Sequence, residues 1–159
     1  MIEKLDLTVD IEEMERVKAF VLSVSHQADL GEVQTQKLHL VVEEAVANVI
    51  NYSAATVMSL CAWQEADSLY VSLTDDGIPF DPTQYPSPDL TVPGDQRQVG
   101  GLGIHYIRTM SNGMAYRRED GKNILTIQIK VKSETIIYAT YSPKTAPNPA
   151  AAASFLRQE

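Results

Sequence analysis

The stretch EEAVANVINYS, residues 43–53, decides how the fold is interpreted. It continues an apolar stripe at helical spacing, which predicts one long helix over residues 34–52. Glu44 and Asn48 are four residues apart in this helix, so their side chains share one face. Such a pair is usually a solvated stripe, but small and apolar neighbours place this one at the edge of the core. The apolar stripe consists of Leu38, Val41, Val42, Ala45, Val46 and Val49.

Strand patterns lie on both sides of this helix. Asp10 follows the first strand and can cap a further helix, in which Val17, Phe20, Val21 and Val24 recur at helical spacing. Hairpin-linked strand pairs separated by helices predict an α+β fold, a two-layer sandwich. The predicted strands are residues 2–9, 56–63, 68–74, 114–118 and 123–131, the last two joined by a turn at Asp120-Gly121.

The composition bounds the class of protein. The chain has 13 Lys and Arg against 21 Asp and Glu, a net charge of −8 that argues against direct binding of nucleic acid. No apolar run is long enough to span a membrane, and the single cysteine, Cys61, fits a reducing cytoplasm. We assign residues 1–132 to one domain and the Pro- and Ala-rich residues 133–159 to a partly mobile C-terminal extension.

A second motif, TDDGIPFDP, occupies residues 74–82. Asp75 ends a predicted strand, and Gly77 would let the backbone approach a ligand closely. An Asp-Gly turn without any ligand is the alternative interpretation. The five prolines in residues 78–99 exclude regular structure there, so we expect a loop that acts as a lid over a site.

The third motif, GGLGIHYIRTM, occupies residues 100–110 and sets glycines directly before a short helix. Backbone N–H groups at a helix N-terminus suit phosphate, whereas the alternative is a flexible hinge. The spacing of these glycines is not that of a dinucleotide-binding Rossmann motif, and the chain contains no P-loop motif.

Together and in this order, the three motifs resemble the N, G1 and G2 boxes of the gyrase, chaperone and histidine-kinase ATPase superfamily. EEAVANVINY, DDGIPFDP and GGLGIHYIR are most similar to the anti-sigma-factor serine kinases of bacterial partner-switching systems. The resemblance covers residues 5–131. It implies a Bergerat-type ATP-binding fold, in which a mixed, mostly antiparallel sheet carries helices on one face.

The resemblance also implies a role for each motif residue. Asn48 would ligate Mg²⁺, Asp75 would accept the adenine amino group of ATP, and Gly77 would leave room for the base. Glu44 would take the proton from a serine or threonine hydroxyl of a protein substrate, and a short list of such groups can suffice for phosphoryl transfer. The residues whose backbone would hold the phosphates are Gly100, Gly101, Leu102 and Gly103.

The sequence departs from the family pattern at two places. Pro79 stands where many members have a second glycine. The threonine often found on the last strand could correspond to either Asn123 or Thr126.

The resemblance further implies protein partners: an antagonist protein as substrate, a sigma factor, and a second copy of the chain in a homodimer. Glu12 and Arg16 on the first helix would belong to the partner-binding surface, with an intrahelical salt bridge between them as the alternative. The predicted function is an ATP- and Mg²⁺-dependent serine/threonine kinase. The rival is a nucleotide-gated binding module without kinase turnover, which has no chemical need for Glu44.

Overall fold

The protein forms a five-stranded sheet and three α-helices within residues 2–88 and 101–131, the ranges that the computed structural model describes. The predicted extension 133–159, Gly100 and residues 89–99 of the predicted lid lie outside these ranges. The strands are β1 (Ile2–Thr8), β2 (Val57–Glu65), β3 (Ser68–Asp75), β4 (Gly113–Glu119) and β5 (Lys122–Lys130). The α-helices are α1 (Met14–Gln27), α2 (Glu32–Tyr52) and α3 (Leu102–Met110), and two short 3-10 helices occupy Ile11–Glu13 and Pro82–Gln84.

The sheet has the strand order β1-β2-β3-β5-β4. Each of the four neighbouring pairs is antiparallel. The register sets Asp75 of β3 opposite Asn123 of β5, and Asn123 opposite Arg118 of β4. The predicted α+β sandwich is therefore confirmed, and the described strands show only antiparallel pairing.

The helices cover one face of the sheet. Along β2, Met58, Leu60 and Ala62 are buried, whereas Ser59 and Cys61 between them remain partly exposed. The buried residues join the apolar stripes of α1 and α2 in one core cluster, because the period of two in a strand and of 3.6 in a helix each turn one apolar side inward. Burial at this interface is the main force that holds the two layers together.

The strand connections are those the sequence indicates, with small shifts of boundary. Asp120 and Gly121 both have positive φ, at 49° and 76°, as a two-residue hairpin turn of the favoured kind requires. Helix α2 begins two residues earlier than predicted, at Glu32. Strand β2 extends to Glu65, which leaves only Ala66 and Asp67 for the turn to β3.

Asp10 acts as an N-cap, as predicted. The helix that it caps is a short 3-10 helix and not α1. The Asp10 side chain accepts a 2.9 Å hydrogen bond from the Glu12 backbone N–H. Glu12 and Glu13 therefore lie in the 3-10 turn, and α1 begins only at Met14. This shift changes which carboxylate Arg16 can reach.

Arg16 forms a salt bridge with Glu13 and not with Glu12, the residue that helical spacing indicated. Its Nη1 donates a 2.7 Å hydrogen bond to Glu13 Oε2, and its Nη2 donates to the Asp6 carbonyl oxygen at 3.2 Å. The Thr8 hydroxyl and backbone N–H donate to Glu13 Oε1 and, together with Arg16, hold the pKa of Glu13 below its ordinary value. The arrangement ties α1 to β1, which gives Arg16 a structural contact whether or not it also meets a partner.

Candidate functional site

A cavity of about 410 Å³ opens between α2, the end of β3, α3 and the loop that follows β3. Its volume falls within the usual range for small-molecule sites, roughly 300–1,000 Å³. Asn48, Ser53, Asp75 and Asn123 contribute polar side chains to a lining that is otherwise apolar and aromatic. The apolar wall includes Ala45 and Val49 from α2, Leu73 and Leu125 from the sheet, and Ile104 and Ile107 from α3.

Asp75 is a buried carboxylate at the end of β3, with only 5% of its surface exposed. The Gly77 backbone N–H donates to its Oδ1 at 2.9 Å, and Asn123 Nδ2 donates to the same oxygen at 3.0 Å. Among the described residues, both hydrogen bonds that reach the carboxylate therefore end on Oδ1. Oδ2 is left to accept a donor from a ligand in the cavity, such as an amino group.

Gly77 is needed for a close approach within the chain itself. A Cβ at this position would overlap the Ser53 carbonyl oxygen and would lie 2.7 Å from Ser53 Cβ. The same Cβ would lie 2.8 Å from Asp75 Oδ1. Ile78 donates a 2.8 Å backbone hydrogen bond to that Ser53 carbonyl. The glycine thus lets the loop after β3 pack against the end of α2 and hold the Asp75 carboxylate in place.

Asn123 occupies the position on the last strand that the sequence left open. Asn123 lies opposite Asp75 in the sheet and lines the cavity. Thr126 lies opposite Ser72, and neither of these two residues lines the cavity. In a strand with a period of two, Asn123 falls on the same face as the apolar Leu125, Ile127 and Ile129. This pattern in the sequence could have favoured Asn123 over Thr126.

Two aromatic residues that sequence reasoning did not single out, Phe80 and Tyr85, also line the cavity. Their rings meet edge to face, with centroids 5.9 Å apart and planes at 60°. Tyr85 lies against Gly101, where a Cβ would be only 2.7 Å from its ring. The proline-rich segment has no periodicity that would have marked these two side chains as part of a cavity lining.

Gly101 begins α3 in a backbone conformation that favours glycine, with φ at 85° and ψ at −14°. The first intrahelical bond runs from His105 N–H to the Gly101 carbonyl, so the N–H groups of Leu102 and Gly103 have no acceptor within the helix. Free N–H groups and the helix dipole suit an anion here. Gly101 lines the cavity, and Leu102 is 40% exposed.

The structure brings Glu44 and Asn48 of α2 against Gly103 of α3. A Cβ at Gly103 would overlap Glu44 Oε2 and would lie 3.7 Å from Asn48 Nδ2. Both side chains are partly buried. Asn48 lines the cavity, whereas Glu44, one helical turn earlier, lies beyond its wall beside the start of α3. A carboxylate, an amide and a helix N-terminus thus meet around Gly103, next to the cavity.

The donor set decides whether a divalent cation fits. Among residues 2–88 and 101–131, no group of three or more His, Cys, Asp or Glu side chains could hold a metal ion. The Asn48 amide can contribute one oxygen, so a bound Mg²⁺ would need phosphate oxygens and water for most of its coordination. Mg²⁺ commonly binds in that way together with nucleotides.

Arg108 connects α3 to the loop after β3. Its Nη2 donates to the carbonyl oxygens of Tyr85, at 2.7 Å, and Pro82, at 3.3 Å. Its Nη1 donates to the Ser87 hydroxyl at 2.8 Å. The described part of the predicted lid is thereby fixed to the helix whose N-terminus faces the cavity.

The fold is that of an ATPase domain. The model of the histidine kinase-like ATPase domain family matches residues 7–129, so the chain belongs to that family, and ATP is the ligand that this membership implies.

The chain is 33% identical over 96 residues to the serine/threonine-protein kinase BtrW of Bordetella bronchiseptica, a match that spans 57% of this chain and 66% of that protein. The crystal structure of the RsbU and RsbW domains of Rv1364c from Mycobacterium tuberculosis has the same fold. It matches with a TM-score of 0.60 at 12% identity, over 82% of this chain and 32% of the other. The family and the kinase branch that the motifs predicted are supported by these matches.

In the described ranges, no helix has the length and apolar character needed to cross a membrane.

Proposed function

We propose that this protein is an ATP- and Mg²⁺-dependent serine/threonine protein kinase that phosphorylates a small antagonist protein. When free, it would bind a sigma factor and act as an anti-sigma factor in the cytoplasm, as a homodimer. The match to a protein named as a serine/threonine-protein kinase supports the first part of this proposal. The motif resemblance to the partner-switching kinases supports the second.

The observation that carries the proposal is the position of Glu44. Its carboxylate accepts no hydrogen bond from the residues in the described ranges, although it is partly buried against the backbone of Gly103. A carboxylate held without a donor can accept a proton from a hydroxyl that enters beside it. A module that only binds nucleotide has no need for such a group.

The remaining residues would bind and orient the nucleotide. Asp75 Oδ2 would accept the adenine amino group, between the aromatic and apolar walls. The free N–H groups at the start of α3 would hold the phosphates, with Gly101 and Gly103 leaving the backbone accessible. Mg²⁺, held by Asn48 and the phosphates, would neutralise the charge that develops as the phosphoryl group moves.

The decisive experiment compares two neighbouring carboxylates. The purified chain is incubated with labelled ATP, Mg²⁺ and candidate antagonist proteins, and phosphoserine or phosphothreonine is mapped. Glu44→Gln should keep nucleotide affinity within a few fold but lower transfer by roughly 10²–10⁴, the usual contribution of a general base. Glu43→Gln is the matched control, because Glu43 Oε2 lies 3.4 Å from His39 Nδ1 on the same helix.

The outcomes separate the two functional classes. Loss of transfer in Glu44→Gln alone would support the kinase. A wild-type chain that binds ATP and a sigma factor, yet phosphorylates no candidate antagonist, would reject the kinase and leave the nucleotide-gated binding module. Equal loss in both variants would remove Glu44 from the chemistry.

A further inference from the structure

Three polar residues form a row across the rim of the sheet. Asp75 of β3 lies opposite Asn123 of β5, which lies opposite Arg118 of β4. Directly opposed side chains in antiparallel strands point to the same face, so the three can contact one another. Tyr116 lies two residues before Arg118 on β4, lines the cavity and also contacts the Asn123 amide.

Every hydrogen-bonding position of the Asn123 amide is used. Its Oδ1 accepts from Tyr116 Oη and from Arg118 Nη1, each at 2.8 Å. Its Nδ2 donates to Asp75 Oδ1 at 3.0 Å and to the Ile78 carbonyl at 2.9 Å. Because two donors fix Oδ1, the amide cannot turn over, and it must present its N–H group to Asp75.

This arrangement makes the two oxygens of Asp75 unequal. Oδ1 already accepts two hydrogen bonds, from Asn123 and from the Gly77 backbone, and these fill its lone-pair positions. Only Oδ2 can accept further donors from the cavity. Adenine needs one acceptor for its amino group, whereas guanine presents two adjacent donors, N1–H and the 2-amino group, that pair with both oxygens of a carboxylate.

We propose that Asn123 determines the base specificity of the site by occupying the Asp75 oxygen that guanine would need. Tyr116 and Arg118 are the positioning residues that fix the orientation of its amide. This inference rests on the proposed binding of ATP and names the residues that exclude GTP from the same cavity. A site whose polar groups are already paired discriminates strongly, because the wrong ligand leaves donors without partners.

The test compares the affinities for ADP and GDP, which avoids turnover, by titration calorimetry. Asn123→Ala frees one of the two acceptor positions of Asp75 Oδ1, the other being held by the Gly77 backbone N–H, and should lower the preference for ADP by at least about tenfold, the value of a hydrogen bond to a charged group. Tyr116→Phe removes only a hydroxyl and should lower the preference by about threefold. Thr126→Val, on the same strand but at a position away from the cavity, should leave the preference unchanged.

Circular dichroism and thermal unfolding report whether each variant folds. If Asn123→Ala does not fold, Tyr116→Phe decides the question, since one hydroxyl is lost without a change of shape. A folded variant of either kind that keeps the wild-type preference for ADP overturns the inference and leaves the proposed function standing. A wild-type chain that binds neither nucleotide overturns both.

Discussion

The Glu44 carboxylate of α2 fills the space where a side chain at Gly103 of α3 would stand. The contact joins the first and third motifs, which are far apart in sequence, and it sets the general base proposed above against the start of the helix proposed to bind phosphate. The atom that would be displaced is the end of a flexible side chain and not backbone. A larger residue at 103 should therefore move the carboxylate more than it disturbs the fold.

We accordingly expect Gly103→Ala to fold with a melting temperature close to that of the wild type, because alanine favours a helix by up to about 1 kcal/mol over glycine. It should nevertheless lower phosphoryl transfer nearly as much as Glu44→Gln does. A double-mutant cycle measures the coupling: adding Gly103→Ala to Glu44→Gln should cause little further loss. Additive losses would mean that Gly103 acts independently of Glu44.

Gly77→Ala should behave in the opposite way, because its added Cβ meets the Ser53 carbonyl and backbone cannot move aside as a side chain can. We expect a loss of about 1–3 kcal/mol in the free energy of unfolding, the usual cost of overpacking, together with weaker nucleotide binding as Asp75 shifts. Urea titration and calorimetry measure the two effects.

Gly31→Ala is the matched control for this change. A Cβ there meets only the end of the Gln34 side chain, at 3.3 Å, and φ is −65°. Because alanine is a poorer N-cap residue than glycine, the change should cost at most about 1 kcal/mol. Equal stability of the two variants would show that the Ser53 contact can relax.

Asp76 follows Asp75 in the chain, and its carboxylate should make the stability of the protein depend on pH in acid. The Thr56 hydroxyl, at 2.5 Å, and the backbone N–H groups of Val57 and Thr56 donate to its carboxylate and lower its pKa from 3.8 to about 2. Because the folded pKa is depressed, the stabilisation is present above about pH 4 and is lost as the pH falls towards 2.

The difference in melting temperature between wild type and Asp76→Asn should therefore be largest near neutral pH and shrink towards pH 2. Thr56→Val removes the first of these donors, so in that variant NMR titration should find a higher pKa for Asp76. A difference in melting temperature that stays constant from pH 7 to pH 2 would contradict the assignment.

Arg108 offers a test of the loop after β3. Arg108→Ala removes three hydrogen bonds to Pro82, Tyr85 and Ser87, so backbone hydrogen exchange in residues 82–87 should accelerate. Arg117→Ala is the control, because Arg117 pairs with Glu119 at 3.2 Å on the exposed side of β4. Unchanged exchange in Arg108→Ala would mean that other contacts hold the loop.

Much of the architecture could be predicted because it depends on local periodicity. The apolar stripe from Leu38 to Val49 identifies α2, and the alternation in β2 identifies a strand with one buried face. Both patterns arise from the geometry of a single element, so they are present in the sequence before any packing occurs. Asp120-Gly121 likewise requires nothing beyond its own backbone to form a hairpin turn.

Contacts between elements could not be read in this way. Spacing alone paired Arg16 with Glu12, whereas the 3-10 turn that Asp10 caps brings Glu13 to Arg16 and Thr8. The 3-10 turn that precedes α1 thus decides which of two adjacent carboxylates Arg16 reaches. The position of Tyr85 against Gly101 depends similarly on the path of a loop that has no repeating pattern.

By itself, the sequence determined the family, the α+β class and the residues of the three motifs, because each is carried by short-range spacing and residue chemistry. Only the tertiary structure decided that Asn123, and not Thr126, lies opposite Asp75, since strand register depends on how β3 and β5 pair. It also decided that Glu44 meets Gly103, because that contact exists only when α2 and α3 pack together. Periodicity assigns residues to faces, whereas packing between elements selects which of those residues touch.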